Sequence, residues 1–139
     1  MSPMPNRADL KDSLKIRVLV VDDNEPFRRV ATDFLRRHDD LIVVGAICGS
    51  KEALAQAQDL GPQVILIGLD TPGLIGLETI SRLRKVLPGV GIIALTLLEG
   101  TAYRQAAMAA GADELVPKAE LTTELLPAVR RVTQVDRSR

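Results

Sequence analysis

The chain has 139 residues, of which 46% are hydrophobic and 26% are charged, a length and composition typical of one globular domain with a single core. Its 18 basic and 18 acidic side chains cancel, so no overall field attracts nucleic acid or an anionic membrane. With one cysteine, Cys48, and no apolar run near the ~20 residues of a spanning helix, the sequence predicts a cytoplasmic protein without disulfides, membrane anchor or direct nucleic-acid binding.

The two ends of the chain differ in composition from its centre. The first 14 residues are polar, carry two prolines and show no apolar periodicity, and they lack the apolar core of a signal peptide. This composition predicts a flexible leader. Residues 15–133 form the predicted domain, and residues 134–139 form a solvated tail.

The first predicted strand and helix follow the leader directly. The β-branched run IRVLVV ends abruptly in Asp22 and Asp23, which is typical of a strand that is buried on both faces and ends at an open edge. Pro26 stands at a first helical position, where proline is favoured. Apolar residues recur at helical spacing from Phe27 to Leu35, which predicts a helix packed on the sheet.

The same alternation of strand and helix recurs four more times. Further strands are predicted in LIVVGAI, VILIG, GIIALT and ELVPK, and further helices in SKEALAQAQDLG, in GLETISRLRKVLP, at residues 102–110 and from about residue 123 to 132. Ser50 is a predicted N-cap, and Gly61 and Gly111 are predicted helix ends. Pro127 is expected near the first turn of the last helix, and Cys48 is expected to fill the core at the second strand.

Apolar strands that alternate with amphipathic helices predict an α/β fold, a doubly wound five-stranded parallel sheet with helices on both faces in three layers. Ligands of such sheets bind outside the carboxyl ends of the strands. The polar residues at these predicted ends are Asp22, Asp23, Asp70, Thr96 and Lys118.

Together these side chains have the chemistry of a magnesium and phosphoryl site. Carboxylates are ligands of Mg²⁺, while the Thr96 hydroxyl and the Lys118 ammonium pair with phosphoryl oxygens. Each residue has a simpler explanation, since an acidic pair often caps a helix, a threonine often packs and a lysine is often solvated. Their joint placement at one edge of the sheet favours a site.

At these residues the sequence resembles the receiver domain of bacterial two-component response regulators, particularly of the LuxR/NarL type, with a flavodoxin/receiver-like (βα)5 fold. The resemblance runs from Ile16 to about Val132. It rests on the acidic pair in VLVVDDNEPFRR, on Thr96 in IIALT, on Lys118 in GADELVPKAE and on LGPQVILIGLDTPGLIGLETI. It implies phosphorelay signalling, in which an aspartate takes a phosphoryl group from a partner histidine kinase with Mg²⁺, lysine and threonine assisting.

An ungapped match of the third segment puts the phosphoacceptor position on Gly68, which has no nucleophile. One carboxylate is thereby missing from the metal cage, so any Mg²⁺ site made by Asp22, Asp23 and Asp70 is expected to be weak. Asp70 lies about 6–7 Å further along the strand. It is expected to be a rim carboxylate that supplies negative charge or pairs with Lys118, and the alternative is that it serves as a surrogate acceptor.

Two residues bear on partner binding. Leu115 stands where the resemblance implies an aromatic switch, and Tyr103 lies early in the fourth predicted helix. Both are predicted interface residues, on a surface of the fourth helix, fifth strand and fifth helix through which a homodimer or another signalling protein would bind.

The sequence therefore predicts a degenerate, non-enzymatic receiver that is not phosphorylated at residue 68 and acts through protein contacts. The main alternative is an active receiver phosphorylated on Asp70 or another rim carboxylate with Mg²⁺. A small hydrolase on the same scaffold is a further alternative, although the sequence has neither a G-x-S-x-G elbow nor a Walker A loop. A third is that Gly68 was introduced by engineering, in which case restoring Asp at position 68 would revive phosphorylation.

Overall fold

The computed structural model of the chain describes residues 14–70, 75–98 and 100–134. The predicted leader except for Leu14, and the predicted tail except for Gln134, lie outside the described residues. Within these ranges strands and helices alternate along the chain. They are β1 (Ile16–Val21), α1 (Glu25–Arg36), β2 (Leu41–Ile47), α2 (Ser50–Leu60), β3 (Val64–Gly68), α3 (Ile75–Val86), β4 (Gly91–Thr96), α4 (Thr101–Ala110), β5 (Glu114–Pro117) and, after a 3₁₀ turn at Lys118–Glu120, α5 (Leu121–Thr133).

The strands form one parallel sheet in the order β2-β1-β3-β4-β5, which confirms the predicted α/β fold. Helices α1 and α5 pack on one face, and α2, α3 and α4 pack on the other. The chain moves outward from β1 to β2 and then returns across β1 to β3. A reversal of this kind leaves a crevice at the carboxyl ends of the two strands beside it, and the candidate site lies at that edge.

Strand β3, in the middle of the sheet, is buried along its whole length. Ile65 and Ile67 belong to the core under α2, α3 and α4, whereas Val64 and Leu66 belong to the core under α1 and α5. Successive side chains of a strand point to opposite faces, and both faces here are covered by helices. The strand therefore reaches the candidate site only through its carboxyl end.

The C-terminal end of α2 matches the sequence prediction, and its N-terminal end does not. Gly61 closes the helix in the left-handed conformation, with φ 61°, and its N–H donates to the carbonyl of Ala57, as expected of a glycine at this position. Ser50 is wrong as the predicted N-cap, because it is the first helical residue and Gly49 takes the cap position without a side-chain hydrogen bond.

Helix α5 begins two residues earlier than predicted, at Leu121. Pro127 therefore lies inside the helix and not in its first turn. A proline there cannot donate to the carbonyl four residues before it. Pro127 and Thr123 are both exposed, so water can bind the carbonyl of Thr123 and limit the cost. Among the described helices, none has the length and hydropathy needed to cross a bilayer.

Glu114 in β5 joins the end of α5 to the sheet. Its two carboxylate oxygens accept hydrogen bonds of 2.6 and 2.7 Å from the Arg131 guanidinium. These hydrogen bonds raise the pKa of Arg131 above its usual value, and the negative charges of Glu114 and Glu124 act in the same direction. Arginine is already charged at every physiological pH, so no pH dependence of stability follows from this pair.

A partly buried guanidinium joins α3 to the edge of the sheet that lies opposite the candidate site. Arg84 in the last turn of α3 donates to the carbonyl of Gly111 at 2.8 and 3.1 Å and to the carbonyl of Val90 at 2.6 Å. It also forms an ion pair of 2.8 Å with Asp113, whose same Oδ2 accepts the N–H of Ile92 at 2.8 Å. One side chain thus ties together α3, the start of β4 and the turn after α4.

Arg84→Met removes these donors while keeping most of the apolar volume, and we expect it to lower the free energy of unfolding by about 2–3 kcal/mol, because partly buried carbonyls lose their donors and Asp113 loses its ion pair. Urea denaturation measures the loss. Arg82→Met, at an exposed position of the same helix, is the matched control and should change stability by less than about 0.5 kcal/mol. Equal losses in the two variants would contradict a clamping role for Arg84.

Candidate functional site

The polar residues predicted at the strand ends do meet at one edge of the sheet. Asp22 directly follows β1, Thr96 ends β4 and Lys118 directly follows β5. All three are buried, with exposed fractions of 3%, 1% and 9%. Asp70, two residues beyond β3, is partly buried beside them. Buried polar groups at the open edge of a parallel sheet need partners, and these residues supply partners for one another.

Lys118 is the centre of the site. Its Nζ lies 2.8 Å from Oδ2 of Asp22 and 3.0 Å from Oδ2 of Asp70, and its side chain is only 5% exposed. The same Nζ lies 4.2 Å from the centroid of the Phe27 ring, within the range of a cation–π interaction. One ammonium is thus enclosed by two carboxylates and an aromatic face, and the predicted pairing of Asp70 with Lys118 is confirmed.

Asp70 also binds the end of β4. Its Oδ1 accepts a hydrogen bond of 3.3 Å from the Thr96 hydroxyl, and its two carboxylate oxygens lie 3.0 and 3.1 Å from the N–H of Leu97. The Thr96 oxygen in turn accepts the N–H of Leu98 at 2.9 Å. A carboxylate that follows β3 therefore collects donors from both β4 and β5.

Asp22 occupies the space beside Gly68. A Cβ atom built on Gly68 would overlap the Asp22 carboxylate, lying 2.7 Å from its Cγ, and the nearest atom would be Oδ2. The other oxygen, Oδ1, accepts the N–H of Asn24 at 2.8 Å, and the carbonyl of Asp22 accepts a hydrogen bond of 2.6 Å from Arg28. Asp22 is thus held from both ends, and residue 68 has no room for a side chain unless Asp22 moves.

The donor set as arranged does not fit Mg²⁺. Oxygens of Asp22 and Asp70 face the Lys118 ammonium, position 68 contributes no carboxylate, and Asp23 is exposed. Over the part of the chain that the structure describes, no three His, Cys, Asp or Glu residues cluster closely enough to hold a metal ion. Because a cation between Asp22 and Asp70 would have to displace Lys118, the positive charge at this point comes from the protein itself.

A small cavity of about 220 Å³ adjoins Gly68, lined in part by Asp22, Asp23, Cys48 and Ser50. Cys48 is exposed here, just beyond the end of β2, so its prediction as a core residue is wrong. The strand ends one residue before it, and its side chain therefore lies at the open edge.

The two predicted interface residues lie close to the core. Leu115 is 9% exposed within the core under α2, α3 and α4, and Tyr103 is partly buried against the same core. Leu115 therefore offers little surface to a partner. The exposed apolar side chains nearby are Leu97 and Leu98, with exposed fractions of 68% and 50%, and their main-chain N–H groups are the ones bound by Asp70 and Thr96.

Sequence reasoning did not find two contributors to the site. The Phe27 ring was assigned only to the apolar stripe of α1, and the N–H of Leu97 carries no side-chain signal. Phe27 could have been suspected, because it lies four residues after the acidic pair and in the first turn of the helix that starts at the same edge.

The model of the response regulator receiver domain family matches residues 18–130. The chain is 35% identical over 117 residues to the response regulator GacA of Pseudomonas viridiflava, an overlap that is 84% of this chain and 55% of that protein. It is 32% identical over 123 residues to the response regulator protein VraR of Staphylococcus aureus, covering 87% of this chain and 58% of that protein. The chain thus spans little more than half the length of these relatives.

Solved structures with the same architecture agree with this match. The response regulator domain of Thermotoga maritima CheB superposes with a TM-score of 0.79 at 31% identity, covering 88% of this chain and 98% of that domain. A LuxR-family two-component response regulator from Aurantimonas sp. SI85-9A1 gives a TM-score of 0.80 at 25% identity, covering 86% and 85% of the two chains.

Lys118→Met leaves the buried carboxylate of Asp22 and the partly buried carboxylate of Asp70 without a counter-charge, and we expect it to lower the free energy of unfolding by about 3–5 kcal/mol. Adding Asp22→Asn should recover part of this loss, because one of the uncompensated charges is then gone. Urea denaturation of the variants measures both effects. Lys51→Met, at an exposed lysine of α2, is the control for losing an ammonium, and a loss at Lys118 no larger than this control would contradict the central role of Lys118.

Gly68→Ala places a methyl group where the Asp22 carboxylate lies, and we expect a loss of about 1–3 kcal/mol from overpacking. Gly89→Ala, where an added Cβ meets no atom within 4 Å, should have little effect. In an Asp22→Ala background the cost of Gly68→Ala should nearly disappear, so a double-mutant cycle by urea denaturation should show strong coupling between the two positions. An equal cost in both backgrounds would show that Asp22 does not exclude a side chain from position 68.

Proposed function

The chain belongs to the response regulator receiver domain family of two-component signalling, and we propose that it is a degenerate member that takes no phosphoryl group at residue 68 and acts through contacts with other proteins. The observation that carries this proposal is the state of position 68. Glycine supplies no nucleophile, and the space beside it holds the Asp22 carboxylate. The site is therefore closed by its own side chains.

The alternative acceptor, Asp70, is disfavoured by its contacts. Both of its oxygens are engaged, by the Thr96 hydroxyl, the Leu97 N–H and the Lys118 ammonium. A nucleophilic oxygen needs a free lone pair aligned with the phosphorus atom. Asp70 would have to give up at least one of these contacts before it could attack, and the groups that would stabilise the incoming phosphoryl oxygens are the same groups that it already uses.

The proposed partners follow from the family. Receiver domains exchange signals with histidine kinases and often with output domains, and they are generally signalling modules without enzymatic activity of their own. For this chain we propose binding to a histidine kinase or another signalling protein in the cytoplasm, or to a second copy of the chain, through the surface formed by α4, β5 and α5. Because the relatives are almost twice as long as the matched segment, the output belongs to this proposal as well, whether in the same protein or in a partner.

Incubation with acetyl phosphate and Mg²⁺, followed by intact-mass spectrometry, tests the proposal. The protein should show no phosphoryl adduct, since no carboxylate stands at position 68. Gly68→Asp is the matched gain-of-function variant and should acquire an adduct, because Thr96 and Lys118 remain in place and Asp22 can rotate away. An adduct on the unmodified protein that disappears in Asp70→Asn would instead establish Asp70 as the acceptor.

A further inference from the structure

The carboxylate of Asp70 meets three kinds of donor from separate parts of the chain. These are the hydroxyl of Thr96 at the end of β4, the main-chain N–H of Leu97 after it and the ammonium of Lys118 after β5. A hydroxyl, an amide N–H and an ammonium around one point form a complete binding set for a tetrahedral or trigonal oxyanion. In this chain the anion bound by these donors is the carboxylate of Asp70, a residue of the protein itself.

The charges at the site indicate that Asp70 is more than a counter-ion to Lys118. Lys118 already faces Asp22 at 2.8 Å, so a single acid would suffice to neutralise it. Asp70 adds a second negative charge, which would be unfavourable in a partly buried position without further donors. Thr96 and Leu97 supply those donors. The contacts of Asp70 are therefore those of an anion bound in a receptor site and exceed those of a simple counter-ion to lysine.

The same contacts fix the main chain at the end of β4. Thr96 donates to Asp70 and accepts from the N–H of Leu98, while Leu97 donates directly to Asp70. The main chain from residue 96 to 98 is thereby linked to the end of β3. Its two leucine side chains stay 68% and 50% exposed, next to the α4 surface through which partner binding is proposed.

We propose that Asp70 is a permanent internal anion, which holds the main chain of residues 96–98 in the conformation that a bound oxyanion would impose, without any phosphoryl transfer. This inference rests on the proposed function, since it concerns the same site in a receiver that residue 68 cannot switch. A phosphoryl group carries charge and acceptor oxygens but is lost by hydrolysis. A carboxylate attached to the chain brings acceptor oxygens to the same donors and cannot leave, so the surface at Leu97 and Leu98 is presented constantly.

Amide hydrogen exchange by NMR on the full chain tests the proposal. In Asp70→Ala the N–H of Leu97 loses its acceptor and Thr96 loses its anchor, so exchange at Leu97 and Leu98 should rise on the order of tenfold or more. Exchange at Leu66 in the buried centre of β3 should stay unchanged. Asp70→Asn keeps an acceptor oxygen but loses the charge, so its exchange rates at Leu97 and Leu98 should lie between those of the unmodified protein and those of Asp70→Ala. Asp59→Ala, at an exposed acid of α2, is the matched control and should change nothing at these amides.

Anion rescue supplies the decisive measurement. Adding acetate or inorganic phosphate to Asp70→Ala should restore protection at Leu97 and Leu98 in a saturable manner, whereas chloride at equal ionic strength should not, and neither oxyanion should affect the unmodified protein. Unchanged exchange in Asp70→Ala, an equal rise at Leu66, or no rescue by either oxyanion would each overturn the proposal. These outcomes are separate from the acetyl phosphate test, because an adduct on the unmodified protein would refute the proposed function whatever the exchange rates show.

Discussion

The site depends on the burial of one ammonium group. The side chain of Lys118 is 5% exposed and lies within ion-pair distance of Asp22 and Asp70, against the ring of Phe27. An ammonium that has lost most of its water must be compensated by nearby negative charge, and this requirement draws the two carboxylates inward from the ends of β1 and β3. The positions of the other polar groups at this edge follow from that requirement.

The absence of a side chain at Gly68 decides which carboxylates meet Lys118. Because Gly68 has no side chain, the Asp22 carboxylate lies where a Cβ of residue 68 would be. Asp70, two residues further along the chain, reaches the Lys118 ammonium as well. The result is a site whose charges are satisfied internally. Asp70 links the interior of this site to the exposed leucines after β4.

The opposite edge of the sheet, at the amino ends of the strands, contains stabilising contacts. There Arg84 binds carbonyls from the turns that precede β4 and β5, and Glu114 holds the end of α5 through Arg131. These contacts stabilise the starts of β4 and β5, whose carboxyl ends contribute to the candidate site. The stabilising contacts and the candidate site thus lie at opposite edges, as parallel sheets with connecting helices allow.

The sequence by itself determined the alternation of elements, the parallel sheet and the edge at which Asp22, Thr96 and Lys118 meet, because the periods of apolar residues and the strand ends are local properties of the chain. It also identified the glycine at position 68, which follows from counting along one strand, and it offered the pairing of Asp70 with Lys118 as one of two roles for Asp70. It misplaced Ser50, Cys48 and Pro127, because propensities leave the boundary of an element uncertain by one or two residues.

Only the tertiary structure decided the strand order, the cation–π contact of Phe27, the overlap of Asp22 with position 68 and the capture of the Leu97 N–H by Asp70. Each of these depends on how segments far apart in the chain approach one another and on which of several competing acids reaches a single buried ammonium. Packing and desolvation together determine these contacts, and neither produces a periodic pattern in the sequence.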